Sequence, residues 1–295
     1  MTTPQTLDLV VPFQVRDTGP RGRMVRLGPA IRDALDHHEF HEPAKLLAAE
    51  AMALTALMAT ALKFDGLFTL QAQGDGPLSP LVIQINSEGH LRAYGKFDAE
   101  AFATARSSEP VPRLLGNGSL SFIVEQRGKK DRYQGMTDLG GATLADCAHT
   151  YFKNSEQIDT AIKLCTDGNF AAGMMVQRLP DQRPLDQEEN DEIWRESVIL
   201  MGSVTNRELL DPSLAPEEVL FRLYHEDGVR VFKRRDVVFQ CRCSRDQVGR
   251  TLSAFPRGEI ADMAEDGNVG VTCEFCKRDY VFALSELERE WNAEE

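Results

Sequence analysis

Four of the six cysteines lie in two tight pairs near the end of the chain, Cys241-Arg242-Cys243 and Cys273-Glu274-Phe275-Cys276, with 29 residues between the pairs. Two close pairs a few tens of residues apart can converge on one tetrahedral ion. Four thiolates are soft ligands that select zinc (Zn2+) over magnesium or calcium, and the spacing does not match ferredoxin patterns. A closed four-sulfur shell leaves no position for water, so the ion expected at Cys241, Cys243, Cys273 and Cys276 is structural rather than hydrolytic. In a segment this short, metal binding and folding are one equilibrium. Structural zinc contributes about 10–16 kcal/mol in zinc-finger peptides, more than a core of roughly 60 residues can replace. Oxidising the ligands is therefore expected to release the ion and unfold the segment.

Backbone geometry bears on that oxidation. If Cys241 and Cys243 lie in an extended strand, their side chains share a face with Cα atoms about 6.5 Å apart, near the upper limit for a disulfide. A bond between them would require the backbone to bend. Cys273 and Cys276 flank a turn and could bridge with less distortion. Each of the four thiolates is thus also a candidate redox group.

Bulk properties narrow the class. The length of 295 residues suggests two domains rather than one, and the apolar and charged fractions are those of a soluble globular protein. A net charge of -13 argues against a constitutive binder of nucleic acid or of anionic membranes, since phosphate contacts need clustered Lys and Arg. Met1 to Pro12 shows no secretory signal. The most membrane-like stretch, Ala48 to Leu62, is short and interrupted by Glu50, Thr55 and Thr60, and reads as an Ala-rich buried helix. A cytoplasmic protein is expected, where cysteines stay reduced.

The expected fold class is α+β. An N-terminal α/β core domain with antiparallel hairpins spans 1–179, a charged, marginally stable helical linker spans 180–232, and a small C-terminal zinc-binding domain spans 233–295. In the core, Ala44 to Leu62 is the strongest helix. Phe68 to Gln73, Leu81 to Ile85, Leu91 to Tyr94, Leu120 to Gln126 and Arg132 to Met136 are short, partly alternating runs set apart by turn formers such as Gly74-Asp75-Gly76 and Gly116-Asn117-Gly118. Helical patterning resumes from Thr143 through Thr166. Pro180 and Pro184 then bracket a break, and Asp181 to Glu192 holds six acidic residues against one Arg. The segment that follows reads either as marginal helices or as an ordinary helical connection packed on the first domain. Pro216-Glu217-Glu218 suits a helix start.

Other features carry less chemistry. Lys233, Arg234, Arg235, Arg242, Arg245 and Arg250 either offset a negative tetrathiolate or form a solvated face. Residues 233–295 hold 10 basic and 13 acidic residues, which is not the basic module expected of a nucleic-acid-binding zinc ribbon. No Walker A loop occurs. His37, His38 and His41 read as a solvated helix end, His149 as a packing or surface residue, Cys147 and Cys165 as buried thiols, and Ser155-Glu156-Gln157 as a cap or core hydrogen-bond group. Trp194 reads as a packing anchor.

Several stretches together resemble the bacterial 33-kDa heat-shock proteins, the redox-regulated molecular chaperones. They are Leu62-Lys63-Phe64-Asp65-Gly66, Leu70 to Leu78 (LQAQGDGPL), Tyr151 to Gln157 (YFKNSEQ), the C-x-C and C-x-x-C pairs, and Ala264-Glu265-Asp266-Gly267. Ala171-Ala172-Gly173-Met174-Met175 departs from the family, which is usually richer there in Gly and Leu. The resemblance implies a non-enzymatic, ATP-independent holdase that is inactive while reduced and zinc-bound. It implies that oxidation forms the disulfides Cys241–Cys243 and Cys273–Cys276, that zinc leaves, and that the linker unfolds. The protein then forms a homodimer and holds unfolded or partly folded client proteins, with no nucleic acid or membrane involved. Within the linker, Ile193, Trp194, Val198, Ile199, Leu200 and Met201 are the apolar groups expected to meet clients, beside acidic residues that keep them soluble. The alternatives are a zinc-ribbon nucleic-acid-binding or transcription-associated module and, less well, a thiol oxidoreductase using Cys273 and Cys276. A strand-like Tyr280-Val281-Phe282 follows that pair where a thioredoxin-type motif would begin a helix.

Overall fold

The computed structural model describes residues 6–105, 107–178 and 187–287. The expected junction at 179–180 and the Pro180 to Pro184 break lie outside the described residues. The fold is mixed α and β, as expected, and it divides into two compact units, Met1–Phe239 and Gln240–Glu295.

The first unit contains strands β1 (Leu9–Val15), β2 (Arg21–Leu27), β3 (Gly66–Gly74), β4 (Leu78–Asn86), β5 (His90–Phe97), β6 (Gly118–Gln126), β7 (Arg132–Asp138), β8 (Thr160–Thr166), β9 (Ala171–Gln177), β10 (Val229–Val231), β11 (Arg235–Asp236) and β12 (Val238–Phe239). Its helices are α1 (Pro29–Leu35), α2 (Glu42–Ala61), α3 (Ala99–Thr104), α4 (Pro110–Leu114), α5 (Leu144–Tyr151), α6 (Gln187–Ser203), α7 (Asn206–Leu210) and α8 (Pro216–Tyr224). One sheet runs β10-β1-β2-β9-β8, with β11 also pairing with β1. The other runs β12-β5-β4-β3-β6-β7. All five sequence-predicted strands fall in the second sheet, whose hairpins are antiparallel as expected.

Helix α2 explains the apolar run that resembles a membrane span. It is long and apolar enough to cross a bilayer, yet thirteen of its residues, Ala44 through Ala59, are buried. A helix apolar on every side needs partners on every side. It packs with Val10, Val25 and Leu27 of the first sheet and with Phe68, Leu70, Ile83 and Leu91 of the second, in one continuous core. Its alanines let the neighbouring backbones approach closely. On β9 the same demand fixes Gly173, where an added Cβ would stand 2.7 Å from Leu164, 2.9 Å from the Lys163 carbonyl and 3.1 Å from Leu57. The Ala171 to Met175 departure is therefore a central strand whose small residues face a helix and a neighbouring strand.

Two expectations change. The helical reading from Thr143 to Thr166 holds only to Tyr151, after which Phe152–Glu156 forms a wider π turn. Gln157 then adopts a left-handed conformation with φ 54°, which ends the helix, and Thr160–Thr166 pairs with β9. The β-branched residues Thr160, Ile162 and Thr166 fit a strand, and periodicity alone misread them. The boundary expected at residue 233 moves to Gln240, because β11 adds to β1 and β12 adds in parallel to β5. Lys233 to Phe239 thus belongs to the first unit.

Residues 187–224 form the packed connection. The face of the first sheet turned away from α2 carries Leu9, Val11, Phe13, Met24, Met174 and Val176, and these make a second core with Met201, Val204, Leu209, Val219, Leu220 and Tyr224. Polar groups fasten the same helices. Arg26, on β2 and fully buried, donates from Nε to the Leu209 carbonyl (2.7 Å), from Nη1 to Leu214 (2.6 Å) and from Nη2 to Glu208 (3.1 Å). Lys163 of β8 donates to the carbonyls of Gly202 and Val204 at the end of α6. Arg16 pairs with Glu196 and Asp227, and Arg178 with Asp191. Cations at helix C-termini meet both unpaired carbonyls and the negative end of the helix dipole.

Replacing Arg26 by Met should strand buried carbonyls of the α7–α8 segment and cost about 3 kcal/mol in urea-unfolding stability. Amide exchange in 206–224 should accelerate before that of α2. Uniform loss of protection across both would argue against a local anchor.

Candidate metal centre

The second unit is small. It contains α9 (Arg245–Ser253), α10 (Arg257–Asp262), and the hairpin of β13 (Asn268–Thr272) and β14 (Asp279–Ala283). Ser244 caps α9 by accepting from the Gln247 amide. The buried cluster is Leu252, Ile260, Val269, Tyr280, Phe282 and Leu287, and Cys243 and Cys273 pack against it. Six buried side chains are a thin core, so the sulfurs form part of what holds the unit together.

The hairpin brings the second cysteine pair to its tip. Cys273 follows β13, and the turn closes with the Lys277 amide donating to the Cys273 carbonyl (2.8 Å) and the Cys273 amide to the Arg278 carbonyl (2.9 Å). Lys277 takes a left-handed conformation with φ 53° to complete it. The first pair, on the stretch leading into α9, faces this tip. All four sulfurs lie within 4.8 Å of one another, with Cys241 Sγ 3.7 Å from Cys273 Sγ and Cys243 Sγ 3.4 Å from Cys276 Sγ. All six cysteines are free thiols.

The donor set fits a single soft ion. Ligands about 2.3 Å from a tetrahedral zinc lie about 3.8 Å from each other, close to the two spacings observed. The surroundings favour thiolate at Cys241 and oppose it at Cys273 and Cys276. Burial opposes ionisation of Cys241, but the Cys243 amide and the other thiols donate to its sulfur and bring its pKa down to about 7. Burial raises the pKa of Cys273 and pushes that of Cys276 up to about 12, even though backbone amides point at both sulfurs. Four thiols this close share protons. Cys241 ionises readily, Cys273 and Cys276 resist further negative charge, and a divalent cation removes that resistance.

Sequence reasoning brought the four cysteines together correctly and missed one partner. Tyr280, on β14, donates its hydroxyl to Cys243 Sγ at 3.1 Å. A tyrosine seven residues after the first cysteine of the C-x-x-C pair was visible only as a strand residue. The basic run divides. Lys233 to Arg235 lies in the first unit, whereas Arg245 donates to the Val281 carbonyl, pairs with Glu286 and covers the Phe282 ring. Arg245 therefore serves packing of the second unit. A strand, β14, follows Cys276, which weighs against an oxidoreductase arrangement.

The remaining sequence candidates are placed elsewhere. Ile193 and Met201 are buried, Trp194, Val198 and Leu200 are half-buried against the second core, and Ile199 is exposed. Cys147 and Cys165 are buried, and burial raises both pKa values, that of Cys165 to about 11. Glu156 accepts from the hydroxyls of Tyr133 and Tyr151, a half-buried hydrogen-bond group rather than a core one, with Ser155 and Gln157 exposed. His38 stacks on Phe40, His41 lies against Phe97, and His149 meets the Thr160 carbonyl.

A family profile described as Hsp33 protein matches residues 8–283. The 33 kDa chaperonin of Caulobacter vibrioides is 38% identical over 285 residues, covering 92% of this chain and 94% of its own length. That of Pseudomonas fluorescens is 34% identical over 289 residues, covering 97% and 94%. The crystal structure of the 33 kDa chaperonin, a heat shock protein 33 homologue, from Thermotoga maritima is similar with a TM-score of 0.81 at 23% identity, covering 98% of this chain and 100% of that one. This last likeness speaks for the fold.

Changing Tyr280 to Phe removes a donor to the Cys243 sulfur and, with it, the hydroxyl's hydrogen bond with Arg278. A chelator that changes colour on taking up metal should strip the loaded protein about two- to tenfold faster in Tyr280→Phe. An unchanged rate would make the hydroxyl a bystander.

Proposed function

Because this chain belongs to the Hsp33 family, we propose that it is a redox-regulated, ATP-independent holdase whose Cys241, Cys243, Cys273 and Cys276 hold one zinc ion in the reduced, inactive state. The convergence of four thiols beside a six-residue core carries the reading. Bound zinc supplies the cross-link and charge neutralisation that so small a unit lacks.

Oxidation removes that support. Each pair of thiolates gives up two electrons to one peroxide, which takes two protons and leaves as two waters, and a sulfur–sulfur bond forms. We assign the bonds to Cys241–Cys243 and Cys273–Cys276. In the reduced geometry all four sulfurs lie within 4.8 Å of one another, and closing the C-x-C pair, whose Cα atoms stand about 6.5 Å apart when extended, bends the backbone. Oxidation and unfolding of the cysteine unit are then one event. Cys147 and Cys165 stay out of it, since a buried, protonated thiol is a poor nucleophile.

The output is release of the 180–232 segment. Its described helices cover an apolar sheet face, and their own apolar groups include Ile193, Trp194, Val198, Leu200 and Met201. Peeling them away exposes both surfaces at once, next to acidic residues such as Glu188, Glu189, Asp191 and Glu192 that keep the open form soluble. Such a surface suits unfolded or partly folded proteins and a second copy of the chain, giving a homodimer in the oxidised state. No catalysis, nucleic acid or membrane is needed, and a cytoplasmic setting keeps the resting thiols reduced. The zinc-ribbon alternative loses its best support, because Lys233 to Arg235 is outside the cysteine unit.

Peroxide with mild heating should release one zinc, consume four thiols, leave two titratable only after denaturation, and switch on suppression of client aggregation. Zinc retained under oxidation, or equal protection in both states, would leave a static metal domain.

A further inference from the structure

The cysteine unit does not use the basic run at 233–235. Strand β10 ends at Val231 and β11 begins at Arg235, and both pair with β1. Phe232, Lys233 and Arg234 therefore bulge between them, tied by the Phe232 amide to the Pro12 carbonyl (2.9 Å). With the end of α2 and the β4–β5 turn, the bulge encloses an open cleft of about 1180 Å³ inside the first unit. Lys63, Lys233, Arg234 and Arg235 line it, in a chain with a net charge of -13. Asp65, Glu88 and Asp236 also line it, but Asp65 and Glu88 are both engaged by Arg127 at 3.4 Å. The wall formed by the bulge is cationic.

A second observation sits behind this wall. Arg23 is the cross-strand partner of Pro12, a residue of the cleft lining, and its Nε is buried without a hydrogen-bond partner. Burial, then the charges of Arg235 and Arg21, lower its pKa to about 10. Among the described residues no carboxylate forms an ion pair with Arg21, Arg23 or Arg235. Gathering guanidinium groups without a counter-charge is unfavourable, and a bound anion reverses the sign of that interaction.

We propose that this cleft is a binding site for a compact oligophosphate, a di- or triphosphate group held by Lys63, Lys233, Arg234 and Arg235. Guanidinium forks match phosphate oxygens in pairs, and ammonium groups supply point charge. Several cations around one opening match an anion with several charges better than a single carboxylate. The acidic far rim and the overall negative charge disfavour a long nucleic-acid chain, which would have to run past them. The site belongs to the reduced form, because β10 and Phe232, which shape its wall, lie in the segment released on oxidation.

Calorimetric titration of the reduced full chain at low salt, with tripolyphosphate in one arm and ATP in the other, tests this. Both ligands should bind at one site, with affinity falling at least tenfold in Lys233→Gln/Arg235→Gln. It should hold in the control Lys96→Gln/Lys153→Gln, which makes the same change in net charge. All four positions are exposed, so both variants should fold, and circular dichroism checks this. Equal affinity for the two ligands means that the phosphate chain alone is recognised. Tighter ATP binding adds stacking on Phe64 or Phe232 of the lining, and either result supports the site. Absence of saturable binding, or equal loss in the two double variants, overturns it. So does binding of a single-stranded RNA oligomer where tripolyphosphate fails, which would reassign the cleft to nucleic acid.

Discussion

A guanidinium buried beneath three carbonyl groups holds the first unit in the form described. Arg26 lies on β2, flanked by β1 and β9, and its three donor bonds reach past the sheet to Glu208, Leu209 and Leu214. Burial of an arginine is unfavourable by itself, so the arrangement persists only while those carbonyls stay in place. The carbonyls of Glu208, Leu209 and Leu214 in turn lose a shared partner when the guanidinium goes. Apolar contact between the helices and the sheet is non-directional and tolerates sliding, whereas this contact sets one position. It is the kind of attachment that holds firmly or fails as a whole.

The attachments of α6–α8 share a pattern. Arg26 and Lys163 come from the sheet and meet helix C-terminal carbonyls, and Arg16 and Arg178 come from strand ends and meet carboxylates. The core supplies positive charge and the covering segment supplies negative charge. That division accounts for part of a composition that looks disordered in isolation: Asp191 and Glu196 are partners for Arg178 and Arg16, elsewhere in the sequence. The exposed pairs among them are weak and screened by salt, and the buried contacts of Arg26 are not.

Legibility from sequence followed the range of the interactions. The clustering of the four cysteines was readable because two close pairs of one residue type announce themselves by short spacing. Helix α2 and five of the six strands of the second sheet were readable because period and turn residues are local signals. Strand β8 was misread because Leu144 to Phe152 set a helical phase that Thr160 to Thr166 continues by chance, and the interruption is a single left-handed Gln157. Strands β11 and β12 are two residues each and are made by their partners, β1 and β5, far away in the chain. The roles of Arg26 and Tyr280 carry no local mark. An arginine in a strand and a tyrosine in a hairpin are ordinary until the fold sets a carbonyl or a sulfur before them.

Strand order has a consequence for how the chain is made. Strand β1 leaves the ribosome long before β10 and β11, and its inner edge is taken by β2 while its outer edge waits for them. At ~5–20 residues per second, the two hundred or so residues in between take about 10–40 s to synthesise. During that interval a strand reading Leu-Val-Val-Pro-Phe carries an open edge, the condition under which chains pair with the wrong neighbour. Pro12 interrupts its hydrogen-bonding row, a small safeguard placed where the nascent chain is most exposed. A protein of this family thus passes through its own period of dependence on protection before it can offer any.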